Sequence, residues 1–168
     1  MKAYILIALY LVAIVAANLS VAHFGPSAAV VNAFLFIGLD LSARDALHDL
    51  WGRRVAPRMA TLIVAGSAIS WLLNRDAGPI ALASCVAFAA AATADTLMYT
   101  AMHRRPRLQR MNGSNIVSAA VDSLIFPALA FGLPLLWPIV LGQFVAKAAG
   151  GALWSLVLTY RRGPVEAL

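Results

Sequence analysis

Residues Ser114 to Lys147 read SNIVSAAVDSLIFPALAFGLPLLWPIVLGQFVAK. Two apolar runs, Ser114–Gly132 and Pro138–Tyr160, meet at a Gly-Leu-Pro break, and each carries one ionisable group, Asp122 in the first and Lys147 in the second. A run of about 20 apolar residues covers the roughly 30 Å of a hydrocarbon core. A charged side chain inside such a span costs roughly 2.5 to 3.5 kcal/mol on insertion scales, so each must face protein, water or a partner. The rest of the chain agrees with a membrane reading. Of 168 residues, 62% are hydrophobic and 12% charged, against about 45 to 50% and about 25% in soluble domains. A protein this small cannot hide that much apolar surface in one core, so lipid has to cover the remainder.

Working outward, four more runs are long enough, or nearly so, to be helices of the same kind. The first is Ala3–Ala22; it exceeds the h-region of about 7 to 15 residues found in a cleaved signal peptide, and more spans follow it. The second, Ala28–Leu41, reaches membrane thickness if its helix continues through Arg44 and Asp45. The third is Met59–Leu73 and the fourth Pro79–Met102. Seven prolines (Pro26, Pro57, Pro79, Pro106, Pro134, Pro138 and Pro164) sit at or beyond the proposed ends, where a missing N–H costs little. The fold class expected is therefore an all-α integral membrane protein of six transmembrane helices, forming a single domain over residues 1–168.

Charge sets the orientation. With both termini cytoplasmic, Lys2, Arg44, Arg53, Arg54, Arg58, Arg104, Arg105, Arg107, Arg110, Arg161 and Arg162 fall on the inner side, leaving Arg75 outside and Lys147 within a span. This partition obeys the positive-inside rule and requires an even number of spans. The net charge of +6 is thus a topology signal, and nucleic acid is not an expected partner. One cysteine, Cys85, excludes an intrachain disulfide framework. Asp45, His48 and Asp49 lie at i, i+3 and i+4 but beside an arginine at the interface and without a cysteine, so no metal and no cofactor is expected. There is no phosphate-cradling glycine loop, and the spans pair no nucleophile with a base, so an enzyme is not expected.

The polar residues inside the spans are the candidate site. Asn115, Ser118 and Asp122 recur at i, i+3 and i+7 on one face of the fifth helix. Pro127, the one mid-span proline, removes the hydrogen bond to the carbonyl of Ser123, immediately beside Asp122; the alternative is a simple packing kink. Gln143 and Lys147 share a face of the sixth helix, next to a small-residue stripe of Gly142, Ala146 and Gly150. Lys147 needs a counter-ion, for which Asp122 is the deepest candidate and Asp95 the next. Asp95 and Tyr99 form a third polar face at i and i+4. Polar contacts between helices are also common as plain packing glue, and that is the expected role of Asn18, Asn32 and, on its own, Ser118.

Four of these stretches, in this order, resemble the vitamin uptake transporter family, also called the queuosine-precursor transporter family, of six-helix bacterial membrane proteins. They are FLFIGLDLSARDALHDLWG at Phe34–Gly52, with Arg44, Asp45 and Gly52; ADTLMYT at Ala94–Thr100 before a basic loop; SNIVSAAVDSLIFPALAFG at Ser114–Gly132; and Gly142, Gln143 and Lys147 in the last helix. Asp40 and the minimal loops depart from the pattern.

The resemblance implies uptake of a 7-deazaguanine base, 7-cyano-7-deazaguanine or its aminomethyl form, across the bacterial cytoplasmic membrane. In chemical terms, Asp122 can accept from the N1–H and amino group of a guanine-like edge, Asn115 and Gln143 can serve the carbonyl edge, and Phe126, Tyr99 or Phe144 can stack on the ring. Ser118, Asp95, Arg44 and Asp45 complete the expected binding set. With no nucleotide-binding motif, energy has to come from the solute gradient, metabolic trapping, an ion gradient or a separate module. The competing reading is a membrane subunit, such as that of an energy-coupling-factor vitamin transporter, that binds a partner or a second copy through its small-residue stripe.

Overall fold

A computed structural model describes residues 3–37, 47, 51–52 and 55–160, all but a few turn residues being helical. Arg44 and Asp45, the proposed extension of the second helix, and the Asp45, His48 and Asp49 group lie outside the described residues. Helix α1 spans Ala3–Phe24, α2 Pro26–Asn32, α3 Val55–Leu73, α4 Gly78–Ala101, α5 Arg107–Phe131 and α6 Trp137–Tyr160. Helix α2 continues as a π-helical turn, Ala33–Ile37, and a 3-10 turn, Arg75–Ala77, leads into α4.

Each apolar run thus falls on a helix, the second as far as Ile37, where its described part ends. Among the described residues, three helices are long and apolar enough to cross a membrane: Tyr4–Phe24, Arg75–Ala101 and Asn112–Phe131; Pro26–Phe36 and Pro57–Leu73 are shorter apolar helices.

Sharp turns at the ends follow from local chemistry. Gly25 (φ 74°, ψ −162°) separates α1 from α2, and Gly132 (φ 79°, ψ −165°) closes α5, both in a region essentially reserved for glycine. Asn74 accepts a hydrogen bond from the Asp76 N–H at 3.0 Å, and the Arg75 guanidinium lies 3.9 Å from the Trp71 ring centroid, fixing the turn before α4.

The bundle is apolar outside and buries polar side chains beside its apolar core. Leu72, Leu73, Leu82, Leu97, Leu141 and Val145 are exposed, whereas Asn18, Asn32, Ser84, Asp95, Ser118, Asp122, Gln143 and Lys147 are buried. Water would reverse that distribution, and lipid favours it. Three exposed hydroxyls obey the same logic: Thr93, Thr96 and Thr100 donate to the carbonyls of Ala89, Ala92 and Thr96 at 2.7–2.8 Å, so none of the three donors is left bare toward hydrocarbon. An apolar core of Leu6, Tyr10, Ile14, Ala17, Leu47, Met59, Ile63 and Phe88 joins α1, α3 and α4. Gly66 gives α3 its close approach to α1, since a Cβ there would lie 2.8 Å from Ile14. Helices α4 and α5 form a close antiparallel hairpin, and α6 packs on α2 and the π-helical turn.

Candidate membrane-embedded binding site

Lys147 anchors the site. Its Nζ lies 2.5 Å from Asp122 Oδ2, 2.8 Å from Gln143 Oε1 and 3.3 Å from Ser123 Oγ. An ammonium has three protons and no acceptor, so all three are engaged. The cation and the carboxylate are both buried, with side-chain exposures of 2% and 8%. The i, i+4 spacing sets Gln143 beside Lys147 on α6, and adjacent residues of α5 supply the carboxylate and the hydroxyl. Pro127, also buried, lies four residues after Ser123 and has no N–H to give the Ser123 carbonyl, so another oxygen on the same turn goes without its helical partner.

Beside this ion pair is a small, partly open cavity lined by Ala17, Asn18 and Val21 of α1, Ala29 and Asn32 of α2, Ser84 and Phe88 of α4, Asp122 and Phe126 of α5, and Gln143 and Lys147 of α6. All five helices contribute from the end that carries Gly25, the 3-10 turn and Gly132, opposite the basic Arg104–Arg105 turn. Asn18, Asn32, Ser84 and Gln143 lie about six residues from that end, and Phe88, Asp122 and Lys147 about nine or ten. At about 1.5 Å per residue the floor is about 15 Å deep, half of a hydrocarbon core.

The lining is braced but keeps hydrogen-bonding capacity. Asn18 donates through Nδ2 to Ser70 Oγ (3.1 Å), and the Ser70 hydroxyl donates to the Gly66 carbonyl (2.8 Å). Asn32 donates to the Ala17 carbonyl at 3.1 Å. Each amide spends one N–H on its brace and retains a second donor and a carbonyl oxygen. Phe126 packs edge-on against Phe131, with centroids 5.8 Å apart, so one aromatic wall is supported from behind.

The structure brings together Asp122, Gln143, Lys147 and Phe126 from the sequence-derived set. Asp95 and Ser118 are buried with Ser114 in a second polar layer nearer the basic end; they and Asn115 do not line the cavity. Tyr99 is also apart: its ring lies 3.9 Å from the Arg110 guanidinium, and its carbonyl accepts from Arg110 Nε at 3.4 Å. Phe144 is outside the lining. Asn18 and Asn32, read from sequence as packing glue, are packing residues and cavity residues at once. Ser84 and Phe88 were not singled out, although they share a helical stripe with Asp95, at i, i+4 and i+11.

The profile of the family described as "Putative vitamin uptake transporter" matches residues 3–161, from the start of α1 to the end of α6. The chain belongs to that family. The match takes in every helix that lines the cavity. No curated protein and no solved structure matches the chain. Family membership and the apolar exterior make this a membrane protein of a small-solute transporter family.

Proposed function

We propose that this vitamin uptake transporter family member is a six-span importer of the bacterial cytoplasmic membrane, with both termini cytoplasmic, and that its solute is a 7-deazaguanine base on the route to queuosine. The observation that carries this reading is the mid-depth cavity in which a compensated ion pair, Asp122 with Lys147, sits beside Gln143, two asparagines and two phenylalanines. Transporters place solute sites at that depth, at interruptions such as the one Pro127 makes. A guanine-like edge offers one acceptor beside two donors, which suits an amide N–H beside a carboxylate. The aromatic side chains suit a flat ring.

The partner-subunit reading is weakened by the stripe it relies on. At Gly142 an added Cβ would lie 3.1 Å from Val30 Cγ2, so that part of the stripe is already covered by α2.

The test is uptake of labelled 7-cyano-7-deazaguanine and its aminomethyl form in cells lacking their own synthesis route. The natural chain restores uptake, and Asp122→Asn and Lys147→Ala abolish it at equal membrane abundance. Failure of the natural chain with both bases overturns the substrate; normal uptake by both variants overturns the site.

A further inference from the structure

The amide of Gln143 can take only one orientation. Lys147 offers donors alone, so the atom 2.8 Å from its Nζ has to be the oxygen, and Nε2 is turned away. Turning the amide over would set an N–H against an ammonium. Gln143 is 1% exposed and lines the cavity, and among the described residues Nε2 has no hydrogen-bond partner. A buried N–H group without a partner is unfavourable, and native structures keep few of them. Gln143 lines the cavity, but the nitrogen itself is out of water's reach, so a solute meets it only as the wall opens.

Charge narrows what can satisfy it. Asp122 and Lys147 compensate each other at contact distance, and the other polar residues of the lining, Asn18, Asn32, Ser84 and Gln143, are uncharged. An ionic solute would enter at mid-membrane with no surplus opposite charge to meet it, which is costly. A neutral solute has no such penalty.

Resting on the importer reading above, we propose that Gln143 is the specificity donor of this site: the solute binds as an uncharged heterocycle and turns a ring carbonyl to Gln143 Nε2. Lys147 acts indirectly, as the residue that holds the amide with its N–H groups toward the ligand. An exocyclic amino group in that position meets donor with donor and is rejected. A thiocarbonyl binds weakly, because sulfur is a poor acceptor.

The experiment uses the purified full-length chain in nanodiscs and measures binding of oxo and thio pairs that keep the same ring N–H groups: 7-deazaguanine, guanine and uracil with their thiocarbonyl analogues. The natural chain prefers the oxo member of at least one pair by about ten-fold, the size of one lost hydrogen bond to a buried donor. In Gln143→Met, of similar length and shape, that preference falls to near unity while affinity for the thio member changes little. A structural role for Gln143 would weaken both members equally and leave the ratio intact, which overturns the proposal.

If the ratio responds for guanine or uracil and 7-deazaguanine does not bind, the proposal stands and the deazaguanine reading falls. If 7-deazaguanine binds with a ratio indifferent to Gln143, the reverse holds. Binding of no oxo heterocycle overturns the proposal. Should Gln143→Met not fold, the infrared carbonyl stretch of the bound oxo ligand on the natural chain decides: a downward shift relative to apolar solvent supports it, and an unshifted band overturns it.

Discussion

Replacing Lys147 by methionine keeps most of the side-chain volume and removes the charge. It leaves the Asp122 carboxylate, 8% exposed, with no counter-ion, and strips the donor from Gln143 Oε1 and Ser123 Oγ. Breaking a buried pair from one side costs about 3 to 5 kcal/mol. Asp122→Asn leaves the ammonium with neutral acceptors only, and the same reasoning gives about 3 kcal/mol. The double variant, Asp122→Asn with Lys147→Met, contains no orphaned charge and loses little beyond two hydrogen bonds, about 1 to 2 kcal/mol. The two single costs therefore exceed the double by at least about 3 kcal/mol, and the double variant is more stable than Lys147→Met alone. Equilibrium unfolding of the purified chain in mixed micelles gives all four free energies. Additive costs, or single variants within about 0.5 kcal/mol of the natural chain, would refute the buried ion pair as an energetic unit.

Helix packing gives a paired prediction. Gly66→Ala drives a Cβ to 2.8 Å from Ile14 in the apolar core and destabilises the chain by about 1 to 3 kcal/mol, whereas Gly113→Ala meets only the Met102 thioether end and costs far less; thermal unfolding ranks the two. Phe126→Leu removes a supported ring from the cavity wall and lowers ligand affinity about three- to ten-fold, the range of an aromatic contact beyond its area, with little change in the unfolding midpoint. Asp95→Asn, outside the lining, leaves ligand affinity within about two-fold, as binding to the purified chain will show.

What could be read from the sequence followed the periodicity of single helices. Asp122 and Lys147 each violate an otherwise apolar run, and the rule that a buried charge needs a partner joins them across two helices. The apolar runs mark the described helices because proline, glycine or arginine falls at or near most of their ends. Periodicity names a face, but depth and helix rotation are settled by neighbours. Phe88 and Asp95 share a face of α4, yet they are separated by about 10 Å along the axis, so one lines the cavity and the other lies in the polar layer beyond it. Asn115 and Ser118 are likewise on the Asp122 face but one to two turns deeper. Tyr99 is drawn away by Arg110 across a turn, a contact no spacing rule within one helix could show. The second role of Asn18 and Asn32 depends on α1 and α2 bordering the same space, which no single-helix pattern encodes.

Cysteine accessibility tests most directly whether this space is a hydrated chamber facing away from lipid. In a Cys85→Ser background, with the chain in native membranes, Asn32→Cys and Ser84→Cys react with a small membrane-impermeant thiol reagent and are protected by bound solute. Leu82→Cys and Leu141→Cys, on the exposed apolar surface, do not react. The opposite pattern, with the leucine positions labelled from water and the asparagine and serine positions sealed, contradicts the account.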